Sequence, residues 1–242
     1  MGYYSEFAHY HSATAGEIKA KSIAFLKKAA AKKKELHPVV LEGRTITKSW
    51  WGTSWCTNLE RYADYEARLE RGRKYVRAGA VVDLEIEEGV IHGAVLGSRA
   101  KPYEVQIEIQ PLAKATRKKL LAQCSNKIEN IESLISGTFP DSLKDLFYSK
   151  GGLFPSPREI RFTCTCPDWA SLCKHVAAVL YGVGARFDGD PLLFFKLRGI
   201  DVNDFIDKAI SSRVEQMLSQ AGRRTGRMMD DSAAAKLFDV IG

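Results

Sequence analysis

Alternating apolar and polar residues mark two strands in the middle of the chain. In residues 82–86 and 105–109 every second residue is apolar, and the residues between them are acidic or amide side chains. Such alternation is typical of strands that bury one face of an antiparallel sheet. Turn-forming residues at 87–89 and 97–102 flank a further apolar run between them. The pattern therefore predicts a three-stranded antiparallel meander.

A different spacing, with apolar residues three or four positions apart, predicts helices on both sides of this meander. The stripe that precedes it consists of Trp51, Trp55, Leu59 and Tyr62. Thr53 or Ser54 is expected to cap that helix, because a hydroxyl can accept the unpaired N–H groups of a first turn. After the meander, an apolar stripe over residues 120–135 predicts a long helix, and a short helix is expected at 141–148.

These elements predict an α+β fold in which the antiparallel β-meander packs with helices. They divide the chain into a basic leader at 1–43, an α+β domain at 44–150, a finger at 151–200 and a helical tail at 201–242. Between Glu17 and Lys48 the chain has nine Lys or Arg and three Glu, and most of these basic residues lie in the leader. It is either a basic helix that Pro38 ends or a solvated, partly disordered segment.

The predicted finger contains Cys164, Cys166, Cys173 and His175, spaced as Cys-x-Cys, six residues, then Cys-x-His. Cys164 and Cys166 lie two apart in a strand-like run and so point the same way. A helix is expected to begin near Ser171, with Cys173 on its entering turn and His175 on the helix proper. Three thiolates and one imidazole complete a tetrahedron around Zn²⁺ and leave no position for a catalytic water. The pattern therefore predicts a closed site for one structural zinc ion, whose binding energy is part of folding.

Two other interpretations of the cluster stay open. The first is a chance group of buried cysteines, since cysteine is often a small core residue. The second is a redox-active Cys-x-Cys pair, which would leave Cys173 and His175 without a role. Trp169, which lies between the ligands, is expected to cover the zinc site.

The stretch CTCPDWASLCKHVAAVLY resembles the SWIM zinc finger, whose signature is Cys-x-Cys, a variable gap, and Cys-x-His. The blocks SWWGTSWCTNLERYADYEARLERGRKYVRAGAVVDLEI, GSRAKPYEVQIEI, LFPSP and DPLLFFKLRG are similar to bacterial SWIM-finger proteins. The resemblance implies a zinc-stabilised strand-strand-helix finger. It also implies a role in binding DNA or protein, as in the SWIM fingers of Swi/Snf-type ATPases, MuDR-type transposases and recombination accessory proteins. It also implies a Swi/Snf-type helicase-like ATPase as the partner.

A formal net charge of +7 and a sequence pI of about 9.1 suit a polyanionic partner such as DNA. If the meander forms, the residues that lead into the first strand and the turn at 97–102 lie at the same end of the sheet, which brings basic residues together. The predicted nucleic-acid-binding set is Arg71, Arg73, Lys74, Arg77, Arg99 and Lys101, with Lys174 added from the finger. Tyr75 and Tyr103 lie among them and either stack on bases or belong to the core. The alternative is that these charges only solvate loops.

No motif of a catalytic protein is evident in the sequence. It contains no Walker A loop, no G-x-G-x-x-G and no G-x-S-x-G. We therefore expect no enzymatic activity, no small-molecule substrate and no membrane association. The N-terminal residues lack an apolar signal core, which predicts a cytoplasmic protein with reduced cysteines. Three functions are weighed: a zinc-binding accessory protein that contacts DNA, an adaptor that binds only protein, and, least favoured, a nuclease or thiol redox enzyme.

Overall fold

A computed structural model describes residues 13–62, 66–127, 141–149 and 151–221. The helices in these ranges are α1 (Ala15–Ala31), α2 (Trp50–Glu60), α3 (Glu66–Arg77), α4 (Lys114–Lys127), α5 (Lys144–Tyr148), α6 (Lys174–Gly189), α7 (Leu192–Leu197) and α8 (Val202–Ala221). The strands are β1 (Val81–Glu87), β2 (Val90–Val95), β3 (Tyr103–Ile109) and β4 (Ile160–Cys164). A single 3₁₀ turn, Asp141–Leu143, leads into α5. Within these ranges, none of the helices combines the length and apolar character that a bilayer span requires.

The predicted meander is confirmed. The four strands pair antiparallel in the order β1-β2-β3-β4, so β4 of the finger extends the meander on its β3 side. Glu87 pairs with Val90, which leaves a two-residue turn at Glu88 and Gly89. Gly89 adopts a φ of 71°, a conformation that glycine enters without steric cost. The strand pair that the predicted finger needs is thus made between its own β4 and β3 of the meander.

Helix α6 lies between the inner face of the sheet and the helices α2 and α3. Two glycines permit this close packing. A Cβ atom at Gly93 of β2 would lie 2.6 Å from Val179, and one at Gly72 of α3 would lie 2.5 Å from Ala177. Either contact is too short for real side chains, so α6 can approach both layers only because these positions lack a side chain. The core is therefore built around α6.

The predicted first helix is confirmed, but its cap is different. Ser49 caps α2, because its Oγ accepts the N–H of Gly52 at 3.0 Å. Thr53 and Ser54, which the sequence favoured, lie inside the helix. After β3, α4 runs to Lys127, and the remainder of the predicted long helix lies outside the described residues. The short helix predicted at 141–148 is present as the 3₁₀ turn and α5.

The described part of the predicted leader is helical and attached to the body. Thr14 and Glu17 form a reciprocal capping box at the start of α1, and the helix buries Ile18. The helix ends at Ala31, well before Pro38. The segment that follows pairs with β1, since the N–H of Val39 donates to the carbonyl of Val81. Residues 13–43 are therefore part of the fold, which favours the helical interpretation over the disordered one.

The predicted finger is continuous with the α+β body. Strand β4 pairs with β3 along its length, and α6 contributes to the same apolar core as the sheet. The proposed linker before the finger is also packed, since Leu153 and Phe154 are buried. The predicted domain boundaries stay a prediction, but sheet and core both cross the one placed at 150/151. The predicted helical tail is represented by α8, and residues 222–242 lie outside the described part.

Candidate metal centre

The four predicted ligands converge at the junction of β4 and α6. Cys164 is the last residue of β4, Cys166 follows it in the connecting loop, and Cys173 is the N-cap of α6. His175 lies in the first turn of α6, as the sequence predicted. One ligand atom from each residue lies within 4.8 Å of the others. The structure thus brings together side chains that are separated by up to eleven positions.

The donor geometry fits Zn²⁺. Nδ1 of His175 lies 3.8 Å from Sγ of Cys164 and 4.0 Å from Sγ of Cys173. In a tetrahedral zinc site with ordinary Zn–S and Zn–N bonds, sulfur and nitrogen are about 3.6 Å apart. A modest contraction of the cluster would therefore give bonding distances. Three sulfurs and one imidazole nitrogen are also the donors that favour zinc over magnesium or calcium.

The cluster is enclosed to different degrees on its two sides. Cys173 and His175 are each 1% exposed, whereas Cys164 and Cys166 are half-buried. The N–H of Val176 points at Sγ of Cys173 over 3.5 Å. Hydrogen bonding to the Cys164 thiol, together with contacts from His175 and this N–H, lowers the pKa of Cys173 to about 4. Cys173 is therefore the thiol that ionises first, and its helix N-terminal position favours the charged form.

The imidazole of His175 is oriented by aromatic rings. Its plane stacks on Tyr103 with a centroid distance of 4.0 Å, and Tyr75 meets it edge-on at 5.6 Å. Nε2 is buried without a hydrogen-bond partner among the described residues, so the stack sets the ring plane. The guanidinium of Arg99 lies 3.8 Å from the centre of Tyr103. Since each ring face accommodates one such neighbour at this distance, Tyr103 is held between Arg99 and His175.

The ligand loop, residues 165–172, is tied to the body at both ends. At its start, Oγ1 of Thr165 accepts the N–H of Glu104 at 3.0 Å and a guanidinium N–H of Arg99 at 3.2 Å. Further on, Arg68 of α3 donates two hydrogen bonds to the carboxylate of Asp168, at 3.0 and 3.3 Å. The Arg68 hydrogen bonds hold the pKa of Asp168 below its ordinary value. The loop is thus fixed to β3 and to α3.

The prediction that Trp169 covers the metal site is wrong. Its side chain is 79% exposed, and the guanidinium carbon of Arg68 lies 5.3 Å from its ring centre. The loop instead buries Ala170 and Leu172 beneath it. The indole therefore lies largely in solvent beside Arg68 and does not enclose the ligands.

The predicted basic patch is only partly available to a ligand. Arg71 and Lys101 are exposed, as predicted, whereas Lys174 is half-buried beside Asp168. Arg99 is exposed as a residue, but its guanidinium is engaged with the ring of Tyr103. These four residues lie around the ligand loop or on the adjacent turn of α3.

The other members of the patch make contacts within the protein. Arg73 pairs with Glu60 of α2 at 2.9 Å. Lys74 donates to the carbonyl of Ala13 at 3.3 Å, and Arg77 donates to the carbonyl of Arg44 at 3.0 Å. The aromatic members of the patch, Tyr75 and Tyr103, are buried against His175 and so belong to the core. Nucleic-acid binding by the predicted set stays a prediction.

Sequence reasoning missed two residues that organise this region. Arg68 was not included in the candidate set, although it anchors the ligand loop. Lys21 of α1 donates to the carbonyls of Gly97 and Ser98, at 2.6 and 3.2 Å, and so docks α1 on the turn between β2 and β3. The sequence signal for the contact of Arg68 was the carboxylate of Asp168 in the ligand loop. Lys21 binds backbone carbonyls, which leave no signal in the sequence.

Cys56, which lies far from the cluster, does not have the properties of a reactive nucleophile. Burial, reinforced by the nearby Glu60 carboxylate, raises the pKa of its thiol to about 12. At neutral pH the thiol is protonated and weakly nucleophilic. The remaining cysteine, Cys124, has a side chain outside the described residues.

Comparison with known proteins agrees with the geometry. The model of the SWIM zinc finger family matches residues 161–183, which include all four ligands. The chain is similar to the uncharacterized protein Rv2102 of Mycobacterium tuberculosis, with 33% identity over 172 residues. The aligned region is 70% of this chain and 62% of that protein, so the chain spans less than two thirds of its relative. No solved structure matches the chain. The ligand spacing, the converging donor atoms and the family match together identify residues 161–183 as a SWIM zinc finger.

Proposed function

We propose that this protein is a non-enzymatic accessory protein that binds one structural zinc ion, contacts DNA beside its SWIM finger and works with a Swi/Snf-type helicase-like ATPase. The observation that carries the proposal is the convergence of four zinc-type donors at the junction of β4 and α6. The ATPase partner rests on the family resemblance alone. The DNA contact rests on the distribution of charge.

A structural role for the metal follows from the number and burial of its ligands. Four protein donors fill a tetrahedral zinc ion and leave no open position for water or substrate. Two of the four, Cys173 and His175, are almost fully buried at the start of the central helix. Zinc bound here would join β4 to α6 and thereby add its binding free energy to that of folding.

The side of the molecule around the finger suits a polyanion. Arg71 and Lys101 are exposed there, with Lys174 at the base of the ligand loop. Helix α1 is docked on the neighbouring turn by Lys21. Lysine and arginine near phosphates release condensed counterions, so binding by such a surface weakens steeply as salt rises.

The outer face of the sheet has the opposite character. Asp83 and Glu85 project from β1, and Glu104 and Glu108 project from β3 on the same face. These carboxylates would repel a phosphate backbone. The charge distribution therefore restricts the proposed DNA contact to the finger side.

The test measures binding of a labelled DNA by fluorescence anisotropy at low and moderate salt. Charge reversal by Arg71→Glu and Lys101→Glu should weaken binding and reduce the slope of log K against log salt by about one for each lost phosphate contact. Lys118→Glu on α4 makes the same charge change at an exposed site away from the finger and is the matched control. Equal losses in all three variants would show that only net charge matters. Absence of binding at low salt would refute the DNA contact.

The ATPase partner is tested separately. The zinc-loaded protein is used as bait, and captured proteins are identified by mass spectrometry. A Swi/Snf-type ATPase that is retained by the wild-type protein but lost when Cys173 is changed to serine would support this part of the proposal. Failure to recover such an ATPase under conditions that preserve zinc would count against it.

A protein-only adaptor is the second candidate, and the acidic face favours it. A concavity of about 370 Å³ lies on this face, with Asp83, Glu85 and Glu104 on its walls and Gly93 and Ala94 among its lining residues. Its charge suits a basic protein segment and not DNA. If Glu85→Lys abolishes partner capture while wild-type protein binds no DNA, the adaptor replaces the first proposal.

A further inference from the structure

Trp169 is an exposed aromatic side chain in the middle of the ligand loop. It lies between Cys166 and Cys173, and 79% of its surface is accessible to solvent. A tryptophan normally stabilises a fold by burying a large apolar area. This one leaves most of that area in water, with the Arg68 guanidinium beside its ring.

The position of Trp169 is fixed by its neighbours. Asp168 accepts two hydrogen bonds from Arg68, and the same carboxylate accepts the N–H of Ala170 at 3.2 Å. The Arg68 guanidinium also packs against the indole, 5.3 Å from the ring centre. The backbone is thus held on both sides of Trp169, so the loop that presents the indole does not have to be ordered on binding.

Basic residues lie on both helices next to the ligand loop. Lys174 begins α6 and lies close enough to Asp168 to influence its carboxylate, and Arg71 is exposed one turn along α3 from Arg68. Phosphates that adjoin a base on the ring would therefore meet positive charge. An aromatic platform beside cations is an arrangement by which proteins bind single-stranded nucleic acid without reading its sequence.

We propose that Trp169 is a stacking platform for an unpaired base, with Arg71 and Lys174 contacting the adjoining phosphates. This inference rests on the proposed DNA contact and specifies its substrate as single-stranded nucleic acid. A base within a duplex is already stacked on both neighbours, so the platform gains nothing from it. An unpaired base has a free ring face, which the indole can cover.

The experiment compares zinc-loaded wild-type protein with Trp169→Ala and Trp169→Phe. Each is titrated into a labelled thymidine oligomer of about 15 nucleotides, long enough to cover a small binding site, and into a duplex of the same length. Trp169→Ala should bind the single strand about 5- to 150-fold more weakly, the range that corresponds to one lost base-aromatic stack. Trp169→Phe retains a ring and should lose less. Duplex binding should change little in either variant.

A strand that carries abasic sites along its length provides the decisive control. If Trp169 stacks on a base, the wild-type protein should bind this strand more weakly than the intact strand. Trp169→Ala should bind the abasic strand with the same weak affinity as the wild type. Zinc content and melting temperature are measured for each variant, and if Trp169→Ala fails to fold, Trp169→Phe and the abasic strand carry the comparison.

The outcomes separate this inference from the function on which it rests. Binding of single strand and duplex that is unaffected by Trp169→Ala would overturn the stacking platform and leave the DNA contact standing. Absence of any DNA binding by the wild-type protein would overturn both. Loss of a protein partner in Trp169→Ala, with DNA binding intact, would show that the indole is a protein contact and would also overturn the inference.

Discussion

Replacing Cys173 by serine tests whether zinc stabilises the whole fold. Serine is nearly isosteric, and its hydroxyl can accept the N–H of Val176 that Cys173 Sγ now faces, so the cap of α6 is preserved. What the variant loses is a thiolate ligand. Since β4 and α6 belong to the common sheet and core, loss of the metal should lower the stability of the body and not only that of the loop.

The magnitude follows from linkage between zinc binding and folding. At a free zinc concentration 1,000 times the dissociation constant, a ligand that binds only the folded state stabilises it by about 4.1 kcal/mol. For a chain of this size, each kcal/mol corresponds to about 2–4 °C in melting temperature. Wild-type protein should therefore melt about 8–16 °C higher in such a zinc buffer than after chelation. Cys173→Ser should show a much smaller shift or none.

Thermal unfolding followed by circular dichroism across a series of zinc buffers provides the assay. Cys56→Ser is the matched control, because it makes the same change at a cysteine outside the cluster. A lower melting temperature of Cys56→Ser does not affect the test, because the compared quantity is the shift in melting temperature with zinc. This shift should equal that of the wild type. Cys173→Ser with a full zinc-dependent shift and one bound zinc per chain would refute the assignment of this residue as a ligand.

Three other perturbations test the surroundings of the site. Arg198 is fully buried and donates a hydrogen bond to Glu159 at 2.8 Å. Arg198→Met should therefore lower the free energy of unfolding, measured by urea titration, by about 3–5 kcal/mol. A loss below about 1 kcal/mol would contradict a structural role for this ion pair. Arg68 lowers the pKa of Asp168, so their contact stabilises the fold above the ordinary pKa of aspartate, and this stabilisation is lost as pH falls through the lowered pKa. The free energies of unfolding of wild type and Arg68→Ala should therefore converge in acid. A constant difference between them at all pH values would argue against the ion pair. In zinc-stripped protein at pH 8, iodoacetamide should modify Cys173, whose pKa is lowered, before Cys56, whose pKa is raised, and faster alkylation of Cys56 in mass spectra of the folded protein would contradict this order.

The metal ligands could be predicted from sequence because they are set by local rules. The period of a strand aligns Cys164 with Cys166, and the start of a helix brings Cys173 and His175 to the same point. Nothing in this argument needs a distant part of the chain. The strands of the meander were predictable for the same reason, since alternation and short turns define them locally.

What the sequence could not predict depends on distant partners. The cap of α2 is Ser49, and its amide N–H and hydroxyl are bound by Asp188 from the far end of α6. Arg73 was assigned to a binding surface, but Glu60 on a neighbouring helix engages it. The direction of Trp169 depends on Arg68, about a hundred positions earlier. In each case the contact that decides the environment of the side chain comes from a residue distant in the sequence.

The position of the candidate metal centre explains why a structural ion would matter for a surface that it does not touch. His175, a ligand, stacks on Tyr103, and Tyr103 in turn stacks on Arg99 of the turn between β2 and β3. The same turn carries exposed Lys101 and receives Lys21 from α1. A metal that fixes the imidazole of His175 would therefore also fix Tyr103, on which Arg99 of this turn packs. On the other side of the loop, the ligands hold the backbone that presents Trp169. Both parts of the proposed contact surface thus depend on the zinc for their position, although neither supplies a ligand.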